Sequence, residues 1–243
     1  LGPAAREVRA RVDAHRAASK PVIGVFGKIL YALSVPYMGG PAHTDIADWL
    51  AHTVRSAEGS SALQLIKPHP HEIRPEIAER PREYFLDLVP ETVSENVVLL
   101  GHRWFTIRDM IDMIDLGVLW NGTTGLELGA SGVPVVMCDD WGPRDYPVGH
   151  ITPADRGHYE AIIRDPSMVE MPADHGRKCA ALLHYLSTPD VMHSYPFLHC
   201  EITNAHVGPP VLNQSEVDRY FREGDATVEL LAREFNIGSG VTG

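Results

Sequence analysis

Five short apolar runs punctuate the chain, each followed by a polar turn carrying glycine or proline within a few residues. They are PVIGVFG at 21–27, ALQLIK at 62–67, NVVLLG at 96–101, LGVLW at 116–120 and VPVVMC at 133–138. Short continuous runs of Val, Ile and Leu between turn residues read as strands covered on both faces. Helical spacing fills the intervals. In DIADWLAHTVRSAEG (45–59), Ile46, Leu50 and Val54 recur four apart, with Thr44 placed to cap the helix. In TIRDMIDMI (106–114), Thr106 is the cap, and Ile107, Met110, Ile111 and Ile114 share one face. TGLELGAS predicts a short helix that Gly132 ends. Residues 4–18, with Val8 and Val12 among Ala, Arg and Glu, predict an exposed or lightly packed helix.

Strands alternating with helices define an α/β fold, a Rossmann-like parallel sheet with helices on both faces. The expected division is a leading helix over 1–20, this domain over 21–165, and a helical C-terminal segment over 166–243. Between Ile73 and Ser94 the pattern blurs, and Pro75, Pro81 and Pro90 leave room for short helices only. Past Asp139 the stretch DDWGPRDYPVGHITPADRGHY reads as a long loop. Helical patterns follow at 174–187, near 190–200 and at 214–236, and the final GSGVTG is expected to be disordered.

Composition narrows the function. The 243 residues carry a formal net charge of −11, which gives no footprint for nucleic acid but permits a locally positive pocket for a small anion. No apolar run approaches the roughly 18 residues of a membrane span. The charged N-terminus is unlike a signal peptide, and the three cysteines, Cys138, Cys179 and Cys200, form no CxxC pair. A cytoplasmic protein is expected, working at most peripherally at the inner face of the membrane. The 13 histidines show no HExxH or other tight ligand spacing, and no metal or other cofactor is expected.

Ligands of open parallel sheets sit beyond the carboxyl ends of the strands. The loops that would lie there are rich in polar, basic and glycine residues: KPHPHE after the second strand, GHRWF after the third and NGTTGLE after the fourth. In the last, Asn121, Gly122, Thr123, Thr124 and Gly125 could bring amides and hydroxyls to a phosphate. Glu127 could accept from ribose hydroxyls. The plain alternative is a threonine that caps a helix, with an acid in its first turn. In IKPHPHE, Pro68 and Pro70 restrain His69, which could donate to a phosphate oxygen beside Lys67, whereas His71 and Glu72 look like solvated neighbours. His102 and Arg103 are further contacts for phosphate or acceptor. In the loop after the fifth strand, Asp139, Asp140, Arg144 and Asp145 read as wet surface as readily as a sugar site.

IKPHP, followed by DLGVLWNGTTGLELGASGVPVV, resembles the bacterial capsule polysaccharide biosynthesis glycosyltransferases of the KpsC/LipB-like group over about residues 21–140. The resemblance implies the donor-binding, C-terminal lobe of a GT-B enzyme that takes a nucleotide-sugar as substrate. The acceptor would be a growing polysaccharide or glycolipid. It matches His69 to the histidine near the donor phosphate, Thr123, Thr124 and Gly125 to the phosphate turn, and Glu127 to the acid of that helix. In the stretch 27–40 the chain departs from the family, having no carboxylate where the β-Kdo transferases of the group carry an aspartate nucleophile. His43 then becomes the candidate general base, with Asp45 and Asp48 as the nearest acids. A GT-B enzyme also needs a second, acceptor-binding lobe, expected as an N-terminal domain or on a partner subunit. Other readings on the same fold are polyol-phosphate transfer, sugar-nucleotide epimerisation and a non-catalytic nucleotide-binding module.

Overall fold

In the computed structural model, residues 2–30, 39–73, 83–188, 196–199 and 211–234 are described. The described residues up to Tyr185 form one compact unit and those from Leu186 onward a second. That boundary lies later in the chain than the expected one at 165/166.

The first unit is an α/β Rossmann-like fold. Strands β1 (Val22–Phe26), β2 (Leu63–Lys67), β3 (Val97–Leu99), β4 (Leu116–Leu119) and β5 (Val135–Met137) form one parallel sheet in the order β3-β2-β1-β4-β5. All five lie within the apolar runs of the sequence, slightly shorter than those runs. The outer edge of β5 is partly closed by Ile151, whose amide donates to Val135 and whose carbonyl accepts from Met137.

Side chains leave a strand on alternate faces, and each strand here supplies two cores. Ile23, Val25, Ile66, Val118 and Val136 pack with Trp49, Leu50 and Val54 of α2 (Ile46–Arg55) and with Tyr159, Ile162 and Ile163 of α6 (Arg156–Arg164). Val22, Phe26, Leu63, Leu65, Leu119 and Val135 pack with Val8 and Val12 of α1 (Pro3–Ala17). On that face they also meet Met110 and Met113 of α3 (Ile107–Met113) and Leu128 of α4 (Thr124–Ala130). α1 is therefore a packed layer of the domain, with Ala5, Val8 and Val12 buried, rather than a lightly attached leader. α5 (Gly142–Asp145) is a single turn, and α7 (His175–Ser187) packs Cys179, Leu182 and Leu183 against Leu126 of α4.

Several local expectations change. Asp45, not Thr44, caps α2, its carboxylate accepting the Asp48 amide at 2.8 Å. α6 lies at the end of what reads as loop: Asp155 caps it, and Tyr159, Ile162 and Ile163 at helical spacing bury it. Thr106 caps α3 with a reciprocal Asp109 bond, as its spacing predicts.

In the second unit, the described part of the 190–200 interval, residues 196–199, holds β6 (Leu198–His199), paired antiparallel with β7 (Val211–Leu212), and the rest of that interval lies outside the described residues. The predicted 214–236 helix is two, α8 (Gln214–Glu223) and α9 (Ala226–Glu234), divided at Gly224 with φ +74°. Among the described residues no helix is long and apolar enough to cross a membrane. The 74–82 part of the proline-rich interval, most of the carboxylate-free 27–40 stretch, Cys200 and the GSGVTG end lie outside the described residues.

Candidate functional site

Beyond the carboxyl ends of β1 and β2, between them and the turns after β3 and β4, lies a cleft of about 510 Å³. It is lined by Lys67, His69, His71, His102, Arg103 and, from the turn into α4, Thr123, Thr124 and Glu127. This is the crevice that an open parallel sheet creates near its switch point, here between β1 and β4. Three segments distant in sequence thus meet in one place. A depression of about 530 Å³ at the opposite edge of the sheet involves Arg16, Lys20, Ser61 and Asp115. There Arg16 already pairs with Asp115 at 3.0 Å, which leaves less charge for a ligand.

Lys67 closes β2, with its carbonyl accepting the Gly27 amide at 2.8 Å, and it is 7% exposed. Burial pulls its ammonium below the ordinary lysine pKa, and the field of Asp109 opposes this only in part. A lysine so desolvated gains from an anion placed beside it. His69 stands between its prolines just before a 3-10 turn, Pro70–Ile73. The His71 amide donates to His69 Nδ1 at 3.2 Å, so the neutral ring carries its proton on Nε2.

His102 has a partner that the sequence reading misjudged. Its Nε2 lies 3.1 Å from Oε2 of Glu72, which is 1% exposed and no solvated neighbour. The other Glu72 oxygen accepts the Phe85 amide at 2.9 Å. Burial raises the Glu72 carboxyl above its ordinary pKa, and the bonds from Phe85 and His102 pull it back in part. A buried carboxylate holding an imidazole fixes the ring's orientation and tautomer. Sequence alone offered one sign of it: Glu72 sits on a tight turn after two prolines, where the chain folds back.

The turn after β4 needs Gly122, whose φ of +129° favours glycine. Thr123 occupies the cap position of α4 but makes no side-chain cap hydrogen bond. The plain reading of NGTTGLE as a threonine-capped helix is therefore not how Thr123 is used. Glu127 is half-buried, and burial raises its carboxyl above the ordinary value.

Asn121 does not line the cleft. Its side chain bridges the Lys28 ammonium and the Asp139 carboxylate, tying together the ends of β1, β4 and β5. Asp139, fully buried, also accepts the Gly142 amide at 2.6 Å. Burial lowers Lys28 and raises Asp139, each offset in part by the other's charge. Asp139 is thus structural rather than wet surface. Gly125 is on the buried face of α4, where an added Cβ would stand 3.0 Å from Met137 Cε and 3.2 Å from His150 Nε2.

The structure does not bring His43 and Asp45 to this cleft. His43 is 2% exposed, bonded through Nε2 to His52 Nδ1 at 2.9 Å and packed edge-on against Tyr159. Burial drops its pKa to about 4. It borders a separate depression with Asp48, Asp140 and Arg156, where Asp48 pairs with Arg156 at 2.7 Å. Asp45 is occupied as a helix cap.

A second group escaped the sequence reading altogether. His150, from the loop after β5, meets His175 and Cys179 of α7, with ligand-type atoms all within 4.8 Å of one another.

No family model matches the sequence, and no curated protein does. Chains of solved structures do match. One is the crystal structure of the glycosyltransferase SnogD from Streptomyces nogalater, at 17% identity and a TM-score of 0.36. The alignment covers 68% of this chain and 44% of that one, so the chain spans less than half of that enzyme's length.

Proposed function

We propose that the cleft binds the phosphate of a nucleotide-sugar and that the chain is the donor-binding part of a glycosyltransferase building a bacterial surface polysaccharide. The observation that carries this reading is the convergence of Lys67, His69, His102 and Arg103 opposite Thr123, Thr124 and Glu127 at the sheet's carboxyl edge. On a chain of net charge −11, a pocket with two fixed cations and three imidazoles selects a small anion.

In this reading Lys67 and the Nε2–H of His69 take the charge that develops on the departing phosphate. Glu127 accepts from ribose hydroxyls. His102, oriented by Glu72, is the base within the cleft best placed to take the acceptor's hydroxyl proton. That role moves from His43, which is buried elsewhere. The acceptor lobe and the polysaccharide or glycolipid acceptor come from the family resemblance.

Calorimetric titration with CMP, CDP, UDP and GDP tests the reading. Saturable binding of one nucleotide, weakened in His69→Ala and in Glu127→Gln, supports it. No binding of any of the four to folded protein overturns it.

A further inference from the structure

The two glycines of the GLELG segment lie four residues apart, on one face of α4. That face rests on side chains. A Cβ at Gly129 would fall 2.5 Å from Cys179 Sγ and 2.7 Å from His175 Cε1, and one at Gly125 would meet His150. α4 is therefore pared down where it covers His150, His175 and Cys179. The space goes to three side chains that each offer a soft or borderline ligand atom.

We propose that His150, His175 and Cys179 form a metal site of the zinc type beneath α4. His175 Nε2 is 3.0 Å from His150 Nδ1 and 3.5 Å from Cys179 Sγ. A tetrahedral Zn²⁺, with Zn–N of about 2.0–2.1 Å and Zn–S of about 2.3 Å, separates adjacent ligand atoms by about 3.3–3.6 Å. Two of the three separations are close to that spacing, and all three lie within 4.8 Å. The residues are 8%, 4% and 0% exposed, so the group is buried.

His150 presents Nδ1 to this group, while its Nε2, on the other side of the ring, lies toward Gly125. His175 and Cys179, four apart, project from the same face of α7, and a thiolate with two imidazoles is a donor set that suits zinc. On binding, the Cys179 thiol releases its proton to solvent as the Zn–S bond forms, and the two neutral imidazoles add lone pairs. Three protein ligands leave a fourth position for water or a small anion. The ion would clamp the loop after β5 to α7 under α4, and the site is independent of the nucleotide reading.

The test uses the full chain without a histidine tag, stripped by chelator, reloaded with Zn²⁺ or Co²⁺ and desalted. The expected result is about one ion per chain by mass spectrometry, in keeping with a single site. The cobalt form should show a thiolate-to-metal charge-transfer band and tetrahedral d–d bands. The charge-transfer band should vanish in Cys179→Ser and persist in Cys200→Ser, and Zn²⁺ should raise the Tm of stripped wild type. If Cys179→Ser fails to fold, His175→Gln with the wild-type cobalt spectrum decides the matter. Failure to retain an ion, retention with no thiolate band, which is the mark of exposed histidines alone, or a band that survives Cys179→Ser would overturn the proposal.

Discussion

α4 separates two histidine-rich environments of opposite character. One face turns Thr124 and Glu127 to an open cleft with Lys67, His69, His102 and Arg103. The other presents Gly125 and Gly129 to the closed group of His150, His175 and Cys179. The cleft brings the cations Lys67 and Arg103 together, although burial pulls the Lys67 pKa down. Beneath α4, burial removes charge: His150 is pulled down to about 4 and Cys179 pushed up to about 11. The same residue type therefore does different work according to what surrounds it. An anion is the complement of the first environment, and a cation of the second.

Substitutions on the two faces of α4 should consequently separate ligand binding from stability. The largest effect is expected from His69→Ala, which would remove the proposed charge-assisted bond to phosphate, worth about 2–3 kcal/mol, or about thirty- to more than a hundredfold in nucleotide Kd. Calorimetry should show that loss with little change in Tm. Gly129→Val should do the reverse. Its side chain collides with Cys179 and His175, costs about 2 kcal/mol in chemical denaturation through overpacking, and leaves nucleotide affinity unchanged. If Gly129→Val abolished nucleotide binding in folded protein, the two faces would not be independent.

Lys67→Met sharpens the contrast within the cleft. It should weaken nucleotide binding about tenfold while raising stability by about 1 kcal/mol, because a buried charge is exchanged for an apolar side chain. Since burial lowers the Lys67 pKa, the destabilisation it causes is present at neutral pH, fades as pH rises through the lowered pKa and is gone above the ordinary lysine value of 10.5. The stability gain of Lys67→Met should fade over the same range.

The smallest effect belongs to Glu127→Gln. Its carboxyl is raised by burial, so its ionised form weakens the fold above the raised pKa and has no effect below the ordinary value of 4.5. The variant should be more stable at neutral pH, by less than about 0.5 kcal/mol after allowing for solvent screening of a half-exposed group. That gain should disappear as pH falls toward 4.5 in a denaturation series. Nucleotide binding should weaken nonetheless.

Much of this architecture is written locally. A strand buried on both faces must be a continuous apolar run, and five such runs with helices between them specify a parallel sheet before any contact is known. The carboxyl ends of those strands are then where a cleft is expected, and the residues that line it, Lys67, His69, His102, Arg103, Thr123, Thr124 and Glu127, were legible there. What determines them is short-range: Pro68 and Pro70 hold His69, Gly122 supplies its positive φ, and β2 ends at Lys67.

Tertiary structure alone decided the rest. Glu72 looks solvated in sequence and becomes the buried partner of His102 because 3-10 turns bring Pro70–Ile73 and Phe85–Leu88 together over it. His43, beside acids in sequence, is folded into the core against Tyr159 of a helix more than a hundred residues away. His150 and Cys179 carry no ligand spacing, and they meet because α7 returns to pack on α4. Propensity and periodicity act within a few residues, so they set elements and their turns. Burial and pairing depend on which elements dock, and that is a property of the whole sheet and its layers.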